Sequence, residues 1–363
     1  MAISSCYLSY TIFLLIFQLL LPTIVCARND CKFTSIISID NSITNTAKGL
    51  KLSFIAPYIG SKLIGNKTEL GQGVNYAVVG AYALNSSFHE ARGVTNTLTN
   101  VSLGDQLEWF KQSLPYFCAT SSDCKQTIRH SLFLVGSIGG NDYNRELLAG
   151  KSLKEVRSFV TLVISRIIAA VKELIGLGGK TLVVPTLLPL QCEPIILTNF
   201  KTSDAKMYDN TTGCLVGIQN LVEYHNQLLQ RELHKIQKYH PSVNVIYADY
   251  YKAAMQLYQF PKHFGFVNKP LRACCGGGGP YNYNETTFDC LLLRRFVSTG
   301  GLLRFPGVTF FPSITNSPES STRILVFLRC QHVSGRSSPP LQRTVTRQPK
   351  QQRASLFPGS DSL

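Results

Sequence analysis

The chain has 363 residues, 44% of them hydrophobic, and a formal net charge of +15. That length suits one large domain or two small ones, and that composition excludes a globally disordered chain. The charge is uneven: residues 291–363 hold ten Lys/Arg against two Asp/Glu, a surplus of +8, while the rest supplies +7. Basic chains often bind nucleic acid. Here the surplus lies in a stretch rich in Pro, Ser and Gln without periodicity, so 291–363 reads as a disordered tail and no nucleic-acid partner is expected.

In chain order, the first feature is an apolar run from Ile12 to Leu21, closed by Pro22 and followed by Val25-Cys26-Ala27. This pattern predicts a signal peptide over residues 1–27, cut after Ala27, and hence an extracellular protein. The run is too short for a spanning helix, and no later segment is apolar enough to cross a bilayer, so no stable membrane insertion is expected. Phe33 to Ile39 and Val74 to Val79 read as buried strands. Ser102-Leu-Gly-Asp105 has the form of a capping box and opens a helix to about Ser113, stopped by Pro115. Ser131 to Val135 is a third strand. A second capping box, Ser152-Leu-Lys-Glu155, starts a helix whose apolar residues recur from Val156 to Leu174 and which Gly176 ends. Thr181 to Val184 and Val243 to Ala248 are further strands. Between them a long helix is predicted from near Cys214 to Tyr239, and a short one follows from Asp249. Strands alternating with helices predict a parallel sheet covered on both faces, with its functional loops at the carboxyl ends of the strands. There is no internal repeat and no linker before residue 290, so residues 28–290 read as one domain.

Nine cysteines remain once Cys6 and Cys26 leave with the signal peptide. In an oxidising compartment most of them should pair. Cys118 with Cys124 closes a short loop, Cys192 with Cys214 flanks a strand-to-helix connection, and Cys290 is assigned to Cys274 or Cys275. Cys274-Cys275 lacks the Cys-x-x-Cys spacing and neighbouring His of a zinc site, so no metal and no cofactor are expected. Five Asn-x-Ser/Thr sequons, at Asn66, Asn85, Asn100, Asn210 and Asn284, agree with the secretory route.

The sequence has no Gly-x-Ser-x-Gly elbow, no Walker loop and no His-Glu-x-x-His. Three strand-end loops stand out instead: Asp40-Asn41-Ser42, the stretch Asn75 to Ala81 with Gly80, and Gly136-Ser137-Ile138-Gly139-Gly140-Asn141-Asp142-Tyr143. With Asn100 to Leu107, Tyr247 to Tyr251, and Ala273-Cys274-Cys275 running on through the glycines to Asn282, these blocks resemble the plant GDSL-type esterases and lipases. That family belongs to the Ser-Gly-Asn-His hydrolase superfamily. The stretch from 100 to 118 is similar to the branch with choline-ester and acetyl-alkaloid esterases.

The resemblance implies a three-layer α/β/α sandwich with a central parallel sheet of flavodoxin-like type, here truncated. It also implies hydrolysis of a small-molecule ester. In that reading Ser42 is the nucleophile, and the backbone N–H of Gly80 and the side chain of Asn141 hold the oxyanion. The chain departs from the family in three places. Asp40 stands where the family has the first Gly of Gly-Asp-Ser. Only 38 positions separate Ser42 from Gly80, fewer than in the family. No Asp is followed three residues on by His, so the motif names neither base nor orienter, and the resemblance stops near Cys290. Two readings stay open. One is a secreted ester hydrolase acting on small acylated metabolites or lipids, impaired as written. The other is a catalytically inactive secreted glycoprotein, or the product of a mis-spliced or mis-predicted gene. The sequence leaves the oligomeric state open.

Overall fold

A computed structural model describes residues 33–40, 56–58, 73–95, 98–264, 270–273 and 278–283, together with the backbone of two strands at 308–311 and 325–328. The expected signal peptide lies outside the described residues. So do Ser42, the sequons Asn66 and Asn284, and Cys31, Cys274, Cys275, Cys290 and Cys330.

Six parallel strands form the sheet: β1 (Ser35–Ile39), the two-residue β2 (Ala56–Pro57), β3 (Gly73–Asn75), β4 (Ser131–Val135), β5 (Thr181–Pro185) and β6 (Asn244–Ala248). Their order is β2-β3-β1-β4-β5-β6, and every pairing is parallel. Without the short β2, this is the 2-1-3-4-5 order of flavodoxin-like sheets. The strands are short apolar runs because both faces of the sheet are covered, and β1 and β4 are buried along their whole length.

Side chains alternate between two cores. Ile37, Ile39, Phe133, Val135, Leu182 and Val184 point to one side. There they meet α2 (Leu103–Phe117), α6 (Val160–Gly176) and α8 (Val216–Tyr239). Ile36, Leu132, Leu134 and Val183 point to the other side, against Ala253 and Leu257 of α9 (Tyr250–Gln259). The remaining helices are short: α1 (Ser86–Glu90), α3 (Ser121–Arg129), α4 (Gly140–Leu148), α5 (Leu153–Ser158) and α7 (Pro194–Asn199). Val308–Phe311 and Leu325–Leu328 pair as an antiparallel two-stranded sheet, β7 and β8, inside the segment read as a tail.

Four local expectations change. The helix at Ser102 does start on a reciprocal capping box, but it runs through Pro115 to Phe117. Proline removes a donor from the helical ladder, and Cys118 N–H still bonds Leu114 O, so the last turn closes around it. The helix expected from Ser152 onward is two helices, broken at Phe159 with φ −103° and ψ 10°. The strand expected at Val74 to Val79 ends at Asn75. Beyond it Tyr76 N–H and Val78 N–H still reach Ser38 O and Asp40 O, and the chain then turns, with Ala81 N–H bonded to Val78 O. The Gly-Gly-Asn-Asp stretch, whose composition suggests only a turn, opens helix α4.

Among the described residues, Cys118 and Cys124 lie at disulfide distance with Cα atoms 5.0 Å apart, and Cys192 and Cys214 likewise at 4.7 Å. The described sequons Asn85, Asn100 and Asn210 are exposed.

Candidate active site

In a parallel sheet of this order the crevice opens at the carboxyl ends of the strands, where the chain's course switches direction. Here that point lies between β1 and β4. β1 is followed by Asp40, which is fully buried, and its backbone N–H is held by Gln106 Oε1 of α2 at 2.9 Å. β4 ends in Gly136, whose N–H bonds Ile39 O at 2.9 Å. A Cβ on residue 136 would stand 2.5 Å from Asp40 Cγ and nearer still to Oδ2. The bare α-carbon of Gly136 therefore makes room for an acidic side chain where the family has glycine.

Gly80 sits at the third position of the turn from Val78 to Ala81, with φ +83°. A positive φ there is the signature of a type II turn and suits glycine. On the other side, Gly139 caps α4 in the left-handed region, φ 113°. Asn141 is the second residue of α4, and its Nδ2 donates to Ala81 O at 2.9 Å. The structure thus brings Gly80 and Asn141, 61 residues apart in sequence, to one place. An amide nitrogen carries two protons and Ala81 accepts one, which leaves one for a bound oxygen. Ser42, the third member of the predicted set, falls outside the described residues.

The sequence reading missed the group directly behind Gly80 and Asn141. Asp142, next to Asn141, is fully buried and accepts the N–H groups of Ala83 at 2.8 Å and Leu84 at 3.0 Å. His89 of α1 lies between two carboxylates of α4, Nε2 3.2 Å from Asp142 Oδ1 and Nδ1 2.9 Å from Glu146 Oε1. Arg92 bonds Glu146 at 3.1 Å and Glu155 of α5 at 2.7 Å. Burial alone would lower the His89 pKa, but the hydrogen bonds and charges of Asp142 and then Glu146 outweigh it and raise the value. The sequence signal was weak: Asp142 and Glu146 are one helical turn apart, but their partner is more than 50 residues away.

Two further groups lie close by. Tyr143 O–H and His225 Nδ1 are 2.7 Å apart in the core, and burial pushes the His225 pKa down to about 3. Glu193 precedes α7 and accepts from Asn144 Nδ2 of α4 at 3.2 Å. Burial raises its carboxyl to about 7, only partly offset by that hydrogen bond. A cleft of about 480 Å³ lies further along the sheet, by the end of β6, bordered by Glu223, Asn226, Tyr247, Tyr251 and Met255.

None of the six described histidines takes the place of a base. His89 and His225 are buried and bonded to the partners given above. His130 directly precedes β4 and His240 lies just ahead of β6, so both sit at the amino ends of the strands, opposite the crevice. His234 is an exposed residue near the carboxyl end of α8, and His263 follows α9. Among the described residues no cluster of metal-ligating side chains occurs, and no helix is long and apolar enough to cross a membrane.

A flavodoxin-like sheet with a glycine turn and an asparagine-bearing helix start at its switch point defines the Ser-Gly-Asn-His type of α/β fold. The family model described as GDSL-like lipase/acylhydrolase matches residues 38–294, and the chain belongs to that family. It is similar to a GDSL esterase/lipase of Arabidopsis thaliana, 47% identical over 239 residues, covering 64% of this chain and 61% of that protein. A second Arabidopsis GDSL esterase/lipase is 42% identical over 308 residues, covering 74% and 76%. A sinapine esterase of Brassica napus is 44% identical over 238 residues, covering 65% and 60%. The chain thus spans about three fifths of the length of the first and third of these relatives.

Proposed function

We propose that this chain is a secreted carboxylic ester hydrolase acting on small acylated metabolites or lipids, with its proton-transfer step impaired. The observation that carries the reading is the Asn141 to Ala81 hydrogen bond of 2.9 Å, which couples the Gly80 turn to the start of α4. In an acyl transfer, charge develops on the carbonyl oxygen as a hydroxyl attacks. Preorganised N–H donors that meet this oxyanion lower the barrier. Gly80 N–H and the second proton of Asn141 Nδ2 are the donors here, and Ser42, three residues past β1 in sequence, supplies the hydroxyl. The amino end of α4 adds its dipole at the same place. The likeness to sinapine esterase supports a small acylated substrate. The signal sequence, the sequons and the two cysteine pairs support export.

The serine hydroxyl needs a base, and no Asp-x-x-His occurs in the sequence. Loss of triad function typically costs ~10⁴–10⁶ in turnover, while oxyanion contacts keep part of the rate enhancement. The purified chain should therefore hydrolyse short-chain nitrophenyl esters at or barely above background. Replacing residues after Cys290 with a family-type segment containing Asp-x-x-His should raise turnover, and Ser42→Ala should abolish the gain. Strong Ser42-dependent turnover by the unaltered chain would overturn the impairment, with His332 and then Glu193 the first bases to mutate. The second reading, a non-catalytic glycoprotein, is favoured by the placement of the six described histidines. It stands if the added segment restores nothing. Amino-terminal sequencing of the exported protein tests the cleavage, which should expose Arg28.

A further inference from the structure

The largest buried group of charges in the described residues has no role in the chemistry above. We propose that His89 is a positioning residue: clamped between Asp142 and Glu146, it fixes the Gly80 turn against α4 and so sets the separation of the two oxyanion donors. The inference rests on reading Gly80 and Asn141 as those donors. Its geometric basis is a closed ring of contacts. The loop from Gly80 to Leu84 is tied to the first turn of α4 at three points. Ala81 O accepts from Asn141, and the Ala83 and Leu84 N–H groups donate to Asp142 at 2.8 and 3.0 Å. The same loop leads directly into α1, where His89 returns to α4 and bonds both Asp142 and Glu146. The loop thus meets α4 first through Ala81, next to Gly80, and again through His89, so the donor turn sits at one end of a doubly anchored segment.

Charge explains why a histidine is needed. Asp142 and Glu146 are fully buried, and two unpaired carboxylates in such a place would repel each other and lose their hydration. The titratable groups against the imidazole are Asp142 and Glu146 of α4 and the Tyr82 ring stacked at 4.2 Å; behind them Arg92, after α1, bonds Glu146 and links it to Glu155 of α5. The other neighbours, Phe88 and Phe159, are apolar. With His89 protonated, two cations face three carboxylates. With His89 neutral, Arg92 is the one cation left in the group, and it bonds Glu146 and Glu155 but not Asp142. The Asp142 carboxylate that holds the Ala83 and Leu84 amides then loses its nearest cation, and the turn loosens.

The test uses the full chain labelled for amide NMR. The Gly80 backbone amide and the Asn141 side-chain amide are followed from pH 5 to 9 beside the His89 ring carbon. Gly80, Asn141, Ala83 and Leu84 should shift along the His89 titration curve, and beyond it their hydrogen exchange should speed up at least tenfold more than the base-catalysed rise that pH alone gives every amide. In a folded His89→Gln protein these signals should be displaced and flat with pH. His130→Gln, altered at the far end of the sheet, should leave them unchanged. Gly80 and Asn141 signals that ignore the His89 titration in the unaltered protein would overturn the proposal, and this result does not depend on whether His89→Gln folds. A parallel measurement, the effect of Asn141→Ala on ester turnover in the Asp-x-x-His chimera, separates the two readings. Turnover indifferent to Asn141 removes the oxyanion assignment, while the NMR coupling stands or falls by itself.

Discussion

The contact between Asp40 and Gly136 makes a prediction with a sign that reverses. Gly136→Ala places a methyl group 2.5 Å from Asp40 Cγ and closer to Oδ2, far inside the ~3.5 Å of a normal contact. Asp40 cannot swing away easily: it is fully buried and its backbone is held by Gln106. Overpacking of this kind costs about 1–3 kcal/mol. In a background of Asp40→Gly, the family's own residue, the obstacle is gone. The only effect left is the lower entropy of the unfolded chain with alanine, worth about 0.4–1 kcal/mol in favour of folding. The same substitution should thus destabilise the natural chain and be neutral to stabilising in the Asp40→Gly chain, a coupling of at least ~1 kcal/mol. Urea unfolding followed by Trp109, the one tryptophan, reads it as a shift of midpoint at constant slope. A Gly136→Ala cost that is the same in both backgrounds, or below ~0.5 kcal/mol in the natural chain, would refute the packing argument.

Three other outcomes follow from buried charge and cysteine placement. The folded pKa of His89 is raised above 6.5, so its contribution is fully present below pH 6.5 and fades as pH rises through the folded value. Urea titrations at pH 5.5 and 8.5 should show the His89→Gln deficit shrinking at the higher pH. Glu193 keeps its proton to about 7 in the fold against 4.5 in the unfolded chain, so it costs stability as pH climbs through that window. Glu193→Gln should be nearly neutral at pH 4 and stabilising by up to about 3 kcal/mol at pH 8, and a gap that does not change with pH would sink the reading. Loop entropy makes the 22-residue separation of Cys192 and Cys214 worth about 3 kcal/mol and the 6-residue one of Cys118 and Cys124 about 2. Non-reducing peptide mapping should recover both pairs, and Cys192→Ser should lower stability more than Cys118→Ser.

Residues that act locally were legible, and residues that act across the chain were not. Runs such as Ser-Ile-Ile-Ser-Ile in β1 mark buried strands without further help, and the strand–helix alternation carries the parallel sheet with it. Ser102 and Asp105 found each other because a capping box spans only four residues. Helix α3 was missed because its sequence, Ser-Ser-Asp-Cys-Lys-Gln-Thr-Ile-Arg, has a single fully buried residue, Ile128, and so no apolar period. Helix α4 was missed because two glycines at its start look like turn chemistry. Their use becomes visible only in three dimensions, where a Cβ on Gly139 would meet Val163 at 2.9 Å and His225 at 3.1 Å. Gly80 and Asn141 were found through the family blocks, not through periodicity. The ion cluster behind them joins α1 to α4 and α5 and leaves no local pattern to read.

The state of the two buried histidines bears on whether the crevice can be repaired. Two carboxylates favour the charged form of His89 and raise its pKa, and His225, at about 3, stays neutral at any ordinary pH. A general base works best when its pKa lies close to the operating pH, and burial holds His225 far below it. Using either one as a base would also dismantle a contact: the Asp142 clamp in the first case, the Tyr143 hydrogen bond in the second. Glu193 does titrate near neutrality, but Asn144 ties it to α4 one turn beyond Asn141. The proposed oxyanion donors and their support are therefore separable from proton transfer. A base brought in on a foreign segment would meet a crevice in which Gly80 and Asn141 are already held together, and the Asp-x-x-His chimera asks for the proton-transfer component alone.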